Sequence, residues 1–269
     1  MSYTRLQPTL GDRILDFLGG IFSFGVGDGP TQNSIKLFNL PAIGIPLYIH
    51  KLWILFIILS CLLSLHHALS IENFLVAFIV FGPVLFLTVL VHEIGHCLMA
   101  KYLGGNADMI LLWPLGGIAY ISFFGESEPW KDALVAIAGP LTHFPQFFIW
   151  ISFFYFINGN IMGDIGAHHS NWTRDISYIC YCGTIMQIAL FSWNLIPAYP
   201  LDGGRLLAAF LGAMKTPTRT AYRVSAIVGA VSIVLKILFV FYTSQGPTIF
   251  FVVVGIRWNL TLLRIAVSL

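Results

Sequence analysis

Long apolar runs, separated by shorter polar segments, dominate the pattern along this chain. Each run is close to the roughly 20 residues that an α-helix needs to cross a bilayer. The polar connections are too short to hold a second domain of the usual size, about 100 residues. We therefore expect an all-α membrane protein with six transmembrane helices. The runs are Leu52 to Leu65, Phe74 to Val91, Ala133 to Ile157, Ile176 to Ile196, Ala221 to Tyr242 and Thr248 to Leu269.

The first 35 residues stand apart from this apolar pattern. They mix acidic and basic side chains with a glycine-rich turn at residues 25–30, which predicts a cytoplasmic N-terminal segment rather than a cleavable signal peptide. Residues 36–269 are then expected to form one six-span domain. Lys236 and Arg257 stand inside the fifth and sixth runs, where we expect them to snorkel or to pair with polar neighbours.

Composition and charge support a membrane protein and predict its orientation. Hydrophobic residues make up 57% of the chain and charged residues only 10%, against roughly 25% charged residues in soluble domains. The net charge of +2 singles out no partner, and we expect no nucleic acid among the partners. On the outer side of the membrane we find only Arg174, so the positive-inside rule predicts that both termini are cytoplasmic. The cationic residues assigned to the cytoplasmic side are Arg5, Arg13, Lys36, Lys51, Lys101, Lys131, Lys215, Arg219 and Arg223.

The residues that carry chemistry directly follow the second run and read His92-Glu93-Ile94-Gly95-His96. Residues four apart project from the same face of a helix, so His92 and His96 can bind one metal ion. Glu93 lies beside them, where it can take a proton from metal-activated water. Ionisable residues inside a membrane cost free energy and usually serve a function. We therefore predict one zinc ion per chain, with Glu93 as the base.

A catalytic zinc commonly has three protein ligands and one water, so the motif needs a third ligand from elsewhere. Asp202 is the best candidate. Pro197 and Pro200 cannot continue the fourth helix, so the chain opens just before Asp202. The fourth run also goes from outside to inside, which brings Asp202 to the depth of His96. We expect Glu126 and Glu128, by contrast, to lie on a solvated loop.

Two segments outside the helices favour extended structure. Residues 34–49 alternate apolar and polar side chains, which predicts a short strand leading into the membrane. Residues 107–124 contain two β-favouring runs around Pro114-Leu115-Gly116-Gly117, the pattern of a hairpin. Non-helical backbone at membrane depth is tolerated only against protein or a watery cavity, so we expect a small membrane-associated hairpin or sheet beside the metal site. Its edge strand could pair with an unwound substrate segment.

Together these motifs resemble the site-2 protease family of intramembrane zinc metalloproteases. The resemblance spans most of Lys36 to Leu211 and implies a zinc metalloendopeptidase that cleaves single-span membrane proteins within the lipid bilayer. It also implies an upstream protease or regulator, Asp202 as third ligand and Glu93 as base. The motifs are His92-Glu93-Ile94-Gly95-His96, Gly116-Gly117, Asn194-Leu195-Ile196-Pro197 and Leu201-Asp202-Gly203.

One position departs from the family pattern. Members often carry an asparagine a few residues after a Gly-Pro pair in the third span, thought to hold the substrate carbonyl, whereas this chain has His143. His143 could donate the same hydrogen bond or could be a packed core residue. Asn194 is an alternative donor, and we expect Gly116 and Gly117 to belong to the same substrate-binding region.

Two other functions compete with the protease. A metal-dependent transporter would distribute polar residues along a pore, whereas the second and fourth spans concentrate theirs at one depth. A non-cleaving relative that binds membrane proteins would have lost the base or a ligand. Because His92, Glu93, His96 and Asp202 are all present, the sequence favours an active protease.

Overall fold

The structure of the protein is a computed structural model, which describes residues 33–41, 43–67, 71–113, 116–123, 128–159, 171–198 and 201–243. Most of the predicted N-terminal segment, Glu126, the sixth apolar run with Arg257, and the side chain of Lys236 lie outside the described residues.

The described part of the chain is mostly helical. The helices are α1 (Lys51–His67), α2 (Ile71–Ile79), α3 (Leu85–Tyr102), α4 (Pro129–Leu141), α5 (His143–Asn158), α6 (Asn171–Asn194), α7 (Asp202–Ala213) and α8 (Thr218–Thr243).

Three stretches within this part are long and apolar enough to cross a membrane: Ile71–Tyr102, Pro129–Asn158 and Trp172–Asn194. Lys51–Leu62 and Arg223–Ser232 are apolar but shorter. The second, third and fourth predicted runs therefore coincide with membrane-length helices, and the count of six stays a prediction.

The first membrane-length stretch carries the zinc motif. Pro83 lacks a backbone N–H and would break a regular helix, but the chain widens into a π-helical turn over Val80–Val84 and then continues as α3. His92 and His96 lie in the second half of this continuous stretch. The predicted placement of the motif inside an apolar helix is confirmed.

A small sheet accompanies the helices. Its strands β1 (Ser34–Asn39), β2 (Pro46–His50), β3 (Asn106–Trp113) and β4 (Gly116–Ser122) lie side by side in that order. β3 and β4 are antiparallel and form the predicted hairpin, whereas β2 and β3 are parallel. The single strand predicted at 34–49 is instead a second antiparallel hairpin, because Gly44 adopts φ +70° and lets the chain reverse.

The sheet packs against α3. Leu47 of β2 and Ile110 and Leu112 of β3 are fully buried in one apolar cluster with Leu90 and Cys97 of α3. This packing fixes the β3–β4 hairpin beside the helix that carries the zinc motif. β4 is one of the two outer strands of the sheet, and none of the described strands pairs with its other edge.

Candidate metal centre

The two histidines of α3 face each other as their spacing predicts. Their Nε2 atoms are 3.1 Å apart, and the two rings meet edge to face with centroids 4.7 Å apart. Both side chains are buried. Two imidazole nitrogens at this separation repel each other through their lone pairs unless a proton or a cation lies between them. The pair is therefore suited to a metal ion.

Asp202 completes the group from the first turn of α7. Its Oδ2 is 3.1 Å from His92 Nε2 and its Oδ1 is 3.3 Å from His96 Nε2. The opened chain before α7 makes this approach possible, because a Cβ at Gly203 would collide with the backbone carbonyls of Leu195 and Ile196. Glycine at this position lets α7 begin directly against the broken end of α6.

The three side chains fit a zinc ion. Tetrahedral zinc binds nitrogen and oxygen at about 2.0–2.1 Å, which places its ligand atoms about 3.3 Å apart. The distances among the His92, His96 and Asp202 atoms match that spacing. A Cβ at Gly139 of α4 would overlap His96 Nε2 and lie 2.8 Å from His92 Nε2, so glycine keeps the space beside both nitrogens open. Two imidazoles and one carboxylate are a donor set that zinc prefers.

Glu93 is buried beside this group and lies against the sheet. A Cβ at Gly117 of β4 would overlap the Glu93 side chain at Cγ and lie 2.6 Å from its Oε1. The absence of a side chain at Gly117 therefore lets the strand approach the carboxylate closely. Gly116 adopts φ +149°, a conformation that L-residues with a side chain rarely take.

All of the predicted site residues line one cavity of about 280 Å³. Asn194 reaches it from the end of α6, and Gly116 and Gly117 reach it from β4. The chain thus brings together eight residues that are up to 110 positions apart, the separation of His92 and Asp202. They are His92, Glu93, His96, Gly116, Gly117, His143, Asn194 and Asp202.

His143 contacts His92 on the side of the ring away from His96 and Asp202. Its Nε2 is 3.1 Å from His92 Nδ1, and its Nδ1 is 2.7 Å from Gln187 Oε1. Both ring nitrogens therefore have protein partners, and a substrate carbonyl would have to compete with them. The Asn194 side chain has no hydrogen-bond partner among the described residues, which makes it the better candidate for the carbonyl donor.

Sequence reasoning missed several residues that support the site. Gln187 and Thr88 are buried polar residues linked to His143, and the Val135 carbonyl lies 2.7 Å from His96 Nδ1. Arg205 lines the cavity with Nη1 3.5 Å from Asp202 Oδ1. A glutamine inside an apolar helix is a signal for a polar partner, but the partner itself is identified only by helix packing.

Glu128 occupies the exposed position that we expected. It accepts a hydrogen bond from the indole N–H of Trp130 at 2.5 Å, and Lys131 Nζ lies 3.4 Å away. These contacts, the indole hydrogen bond first, hold the pKa of Glu128 below its usual value. Glu128 is therefore an exposed surface residue, unlike the buried carboxylates of Glu93 and Asp202 in the cavity.

Comparisons with known proteins identify zinc metalloproteases as relatives of this chain. The profile of Peptidase family M50 matches residues 78–239. A zinc metalloprotease of Methanocaldococcus jannaschii is 31% identical over 207 residues, which cover 77% of this chain and 53% of that protein. Stage IV sporulation protein FB of Bacillus subtilis is 29% identical over 141 residues, which cover 52% of this chain and 43% of that protein. The chain spans about half the length of these curated relatives.

A solved structure shows a similar fold. The site-2 protease from Methanocaldococcus jannaschii aligns with a TM-score of 0.55 and 26% identity, covering 87% of this chain and 94% of that chain. The chain therefore belongs to Peptidase family M50, the site-2-type zinc metalloproteases, and the family predicted from its motifs is confirmed.

Proposed function

We propose that this chain is a zinc endopeptidase that cleaves the transmembrane segments of single-span membrane proteins. The observation that carries the proposal is the triangle of buried His92, His96 and Asp202 atoms beside Glu93, with both histidines and the glutamate on a membrane-length apolar helix. Membership of the family supports the reaction type.

The geometry of the cavity supports the following proposed catalytic roles. His92, His96 and Asp202 would hold one zinc ion, which when bound would acidify a water molecule and polarise a peptide carbonyl. Glu93 would accept a proton from the water that adds to the carbonyl carbon and would deliver it to the amide nitrogen as the peptide C–N bond breaks. Its burial against Gly117 keeps the carboxylate fixed and shields it from bulk water.

The substrate carbonyl needs a hydrogen-bond donor as negative charge develops on it. The amide of Asn194 lines the cavity at the broken end of α6 and can donate such a bond. Asn194 is therefore our proposed oxyanion donor, and His143 supports the metal ligands instead.

A transmembrane helix must unwind before cleavage, because its carbonyls are held in its own hydrogen bonds. The outer strand β4 runs past Glu93 and offers backbone groups for strand addition. Gly116 and Gly117 begin this strand, so an added substrate strand meets no side chain there and comes close to the catalytic residues.

The proposal also includes the membrane topology of the chain and a protease that acts before it. Three membrane-length helices support an integral membrane protein, and we propose six spans with both termini cytoplasmic. The family resemblance also leads us to propose an upstream protease that shortens the outer part of the substrate before this chain cleaves it.

A comparison of membrane fragments tests this function. Cells making the parent chain should contain protein fragments whose new ends lie inside single apolar segments, and cells making the Glu93→Gln variant should lack them. Mass spectrometry of membrane proteins identifies the ends. The same fragments in both cell types would contradict the proposal and favour a transporter or a binding protein that does not cleave.

A further inference from the structure

A chain of hydrogen bonds leads from His92, one of the three proposed zinc ligands, into the protein across three helices. His92 Nδ1 on α3 lies 3.1 Å from His143 Nε2 on α5. His143 Nδ1 lies 2.7 Å from Gln187 Oε1 on α6, and Gln187 Nε2 donates to Thr88 Oγ1 at 3.1 Å. Thr88 is one turn before His92 on α3, so the chain of hydrogen bonds returns to the helix where it began. All four residues are at most 5% exposed.

The hydrogen bonds in this chain determine which ring nitrogen of each histidine carries the proton. The Gln187 amide gives its N–H to Thr88, so its Oε1 can only accept, and His143 must carry its proton on Nδ1. A neutral His143 then has a lone pair on Nε2 and accepts the Nδ1 proton of His92. His92 is left with an unprotonated Nε2 that faces His96 and Asp202.

The opposite direction would prevent metal binding. If the Gln187 amide were turned, it would donate to His143 Nδ1, and His143 Nε2 would donate to His92 Nδ1. His92 would then carry its proton on Nε2, the atom that faces the metal position. The orientation of one glutamine amide thus decides whether His92 can bind zinc without first rearranging.

His96 depends on no such side chain. Its Nδ1 donates to the backbone carbonyl of Val135 at 2.7 Å, an acceptor that no substitution removes. The Nδ1 atoms of the two histidines are therefore held in different ways. His96 Nδ1 bonds to backbone, whereas His92 Nδ1 bonds to a side chain that a substitution can change.

We propose that Gln187, acting through His143, is a positioning residue that holds His92 protonated on Nδ1 and ready to bind zinc. The inference rests on the proposed zinc site and adds to it the residues that tune the zinc affinity. Partners of a ligating histidine typically change metal affinity by about 10- to 100-fold when they are removed.

Two substitutions at Gln187 separate this role from simple packing. Gln187→Met keeps the volume but removes the acceptor, and zinc affinity should fall by about 10- to 100-fold. Gln187→Glu keeps an acceptor toward His143, while the Thr88 hydroxyl can donate to it, so the affinity should stay within about threefold of the parent. A packing role predicts the reverse order, because methionine fits an apolar core and a buried carboxylate does not.

Zinc affinity is measured on the full chain in lipid nanodiscs by competition with a chelator, so no substrate is needed. Gln146→Met is the matched control, because the hydrogen bonds of the Gln146 amide to other described residues go only to the Thr142 carbonyl and hydroxyl. Equal affinity of parent and Gln187→Met, or a weaker affinity of Gln187→Glu than of Gln187→Met, would overturn the inference while leaving the zinc site in place. If the parent and the control bind no zinc, the proposed function fails as well.

A measurement without any change at Gln187 covers variants that do not fold. In zinc-loaded protein labelled with ¹⁵N-histidine, the resonance that disappears in His143→Asn should show protonation on Nδ1. Protonation of His143 on Nε2 would contradict the proposed direction of the hydrogen bonds.

Discussion

At the scale of single residues, Gly139 stands out as the neighbour of both histidine nitrogens that we propose as zinc ligands. An added Cβ would overlap His96 Nε2, one of the two nitrogens that face the proposed metal position. Forcing one more carbon into a packed site costs about 1–3 kcal/mol, which corresponds to a loss of zinc affinity of about 5- to 150-fold. We expect this loss for Gly139→Ala, measured by chelator competition.

Gly82→Ala is the control for that substitution. Within the described part of the chain, a Cβ at Gly82 would meet only Ile57 Cδ1, at an ordinary contact distance of 3.8 Å, so zinc affinity should not change. If Gly139→Ala binds zinc as tightly as Gly82→Ala, the metal does not lie between the two histidines as we infer.

The predictability of the site differs from residue to residue. The spacing of His92 and His96 is local, and the prolines before Asp202 mark a chain break, so the sequence alone pointed to these residues. Gln187 and Thr88 could not be paired in advance, because their contact depends on how α6 packs on α3, 99 positions away along the chain. The roles of the predicted residues stay predictions until they are measured.

At the scale of elements, β4 is the strand proposed to receive the substrate. Consecutive residues of an antiparallel strand point their N–H groups alternately toward and away from the neighbouring strand. Ile118 and Ala119 are consecutive, so proline at one of them removes an N–H on one edge of β4 and proline at the other removes an N–H on the opposite edge. The variant that loses the outward N–H should keep its zinc and cleave about two- to tenfold more slowly, because one hydrogen bond contributes about 0.5–1.5 kcal/mol.

Leu37→Pro provides the matched control in β1, the outer strand on the opposite side of the sheet. Leu37 is exposed and sits at the irregularity between Lys36 and Phe38, where the pairing with β2 is already interrupted. It should cleave at the parent rate. Parent rates for both β4 variants, in chains with normal zinc content, would rule out strand addition at β4.

The elements themselves were only partly predictable. Apolar runs locate helices well, because their length and composition are local properties, and the β3–β4 hairpin had a clear turn signal. The hairpin within residues 34–50 was missed because its reversal depends on a single glycine, Gly44. The parallel pairing of β2 with β3 has no local signal, since the paired residues Leu47 and Ile110 are far apart in the chain.

At the scale of the whole molecule, orientation is the property most open to a direct test. Both ends of the chain should be cytoplasmic, because basic residues concentrate on that side. A tag at either end should resist external protease in intact cells and be digested after permeabilisation. A tag inserted within residues 160–170, on the predicted outer side, is the control and should be digested in intact cells. Digestion of either terminal tag in intact cells would contradict the proposed topology.

The central claim is that a buried zinc site with Glu93 as its base cuts single-span membrane proteins. The most direct measurement compares the parent chain with Glu93→Gln in lipid vesicles, following both zinc content and cleavage of a panel of tagged single-span proteins. We predict equal zinc content and a fall in cleavage rate of about 10²- to 10⁴-fold, the usual contribution of a general base. Equal cleavage by the two chains at equal zinc content would contradict the account.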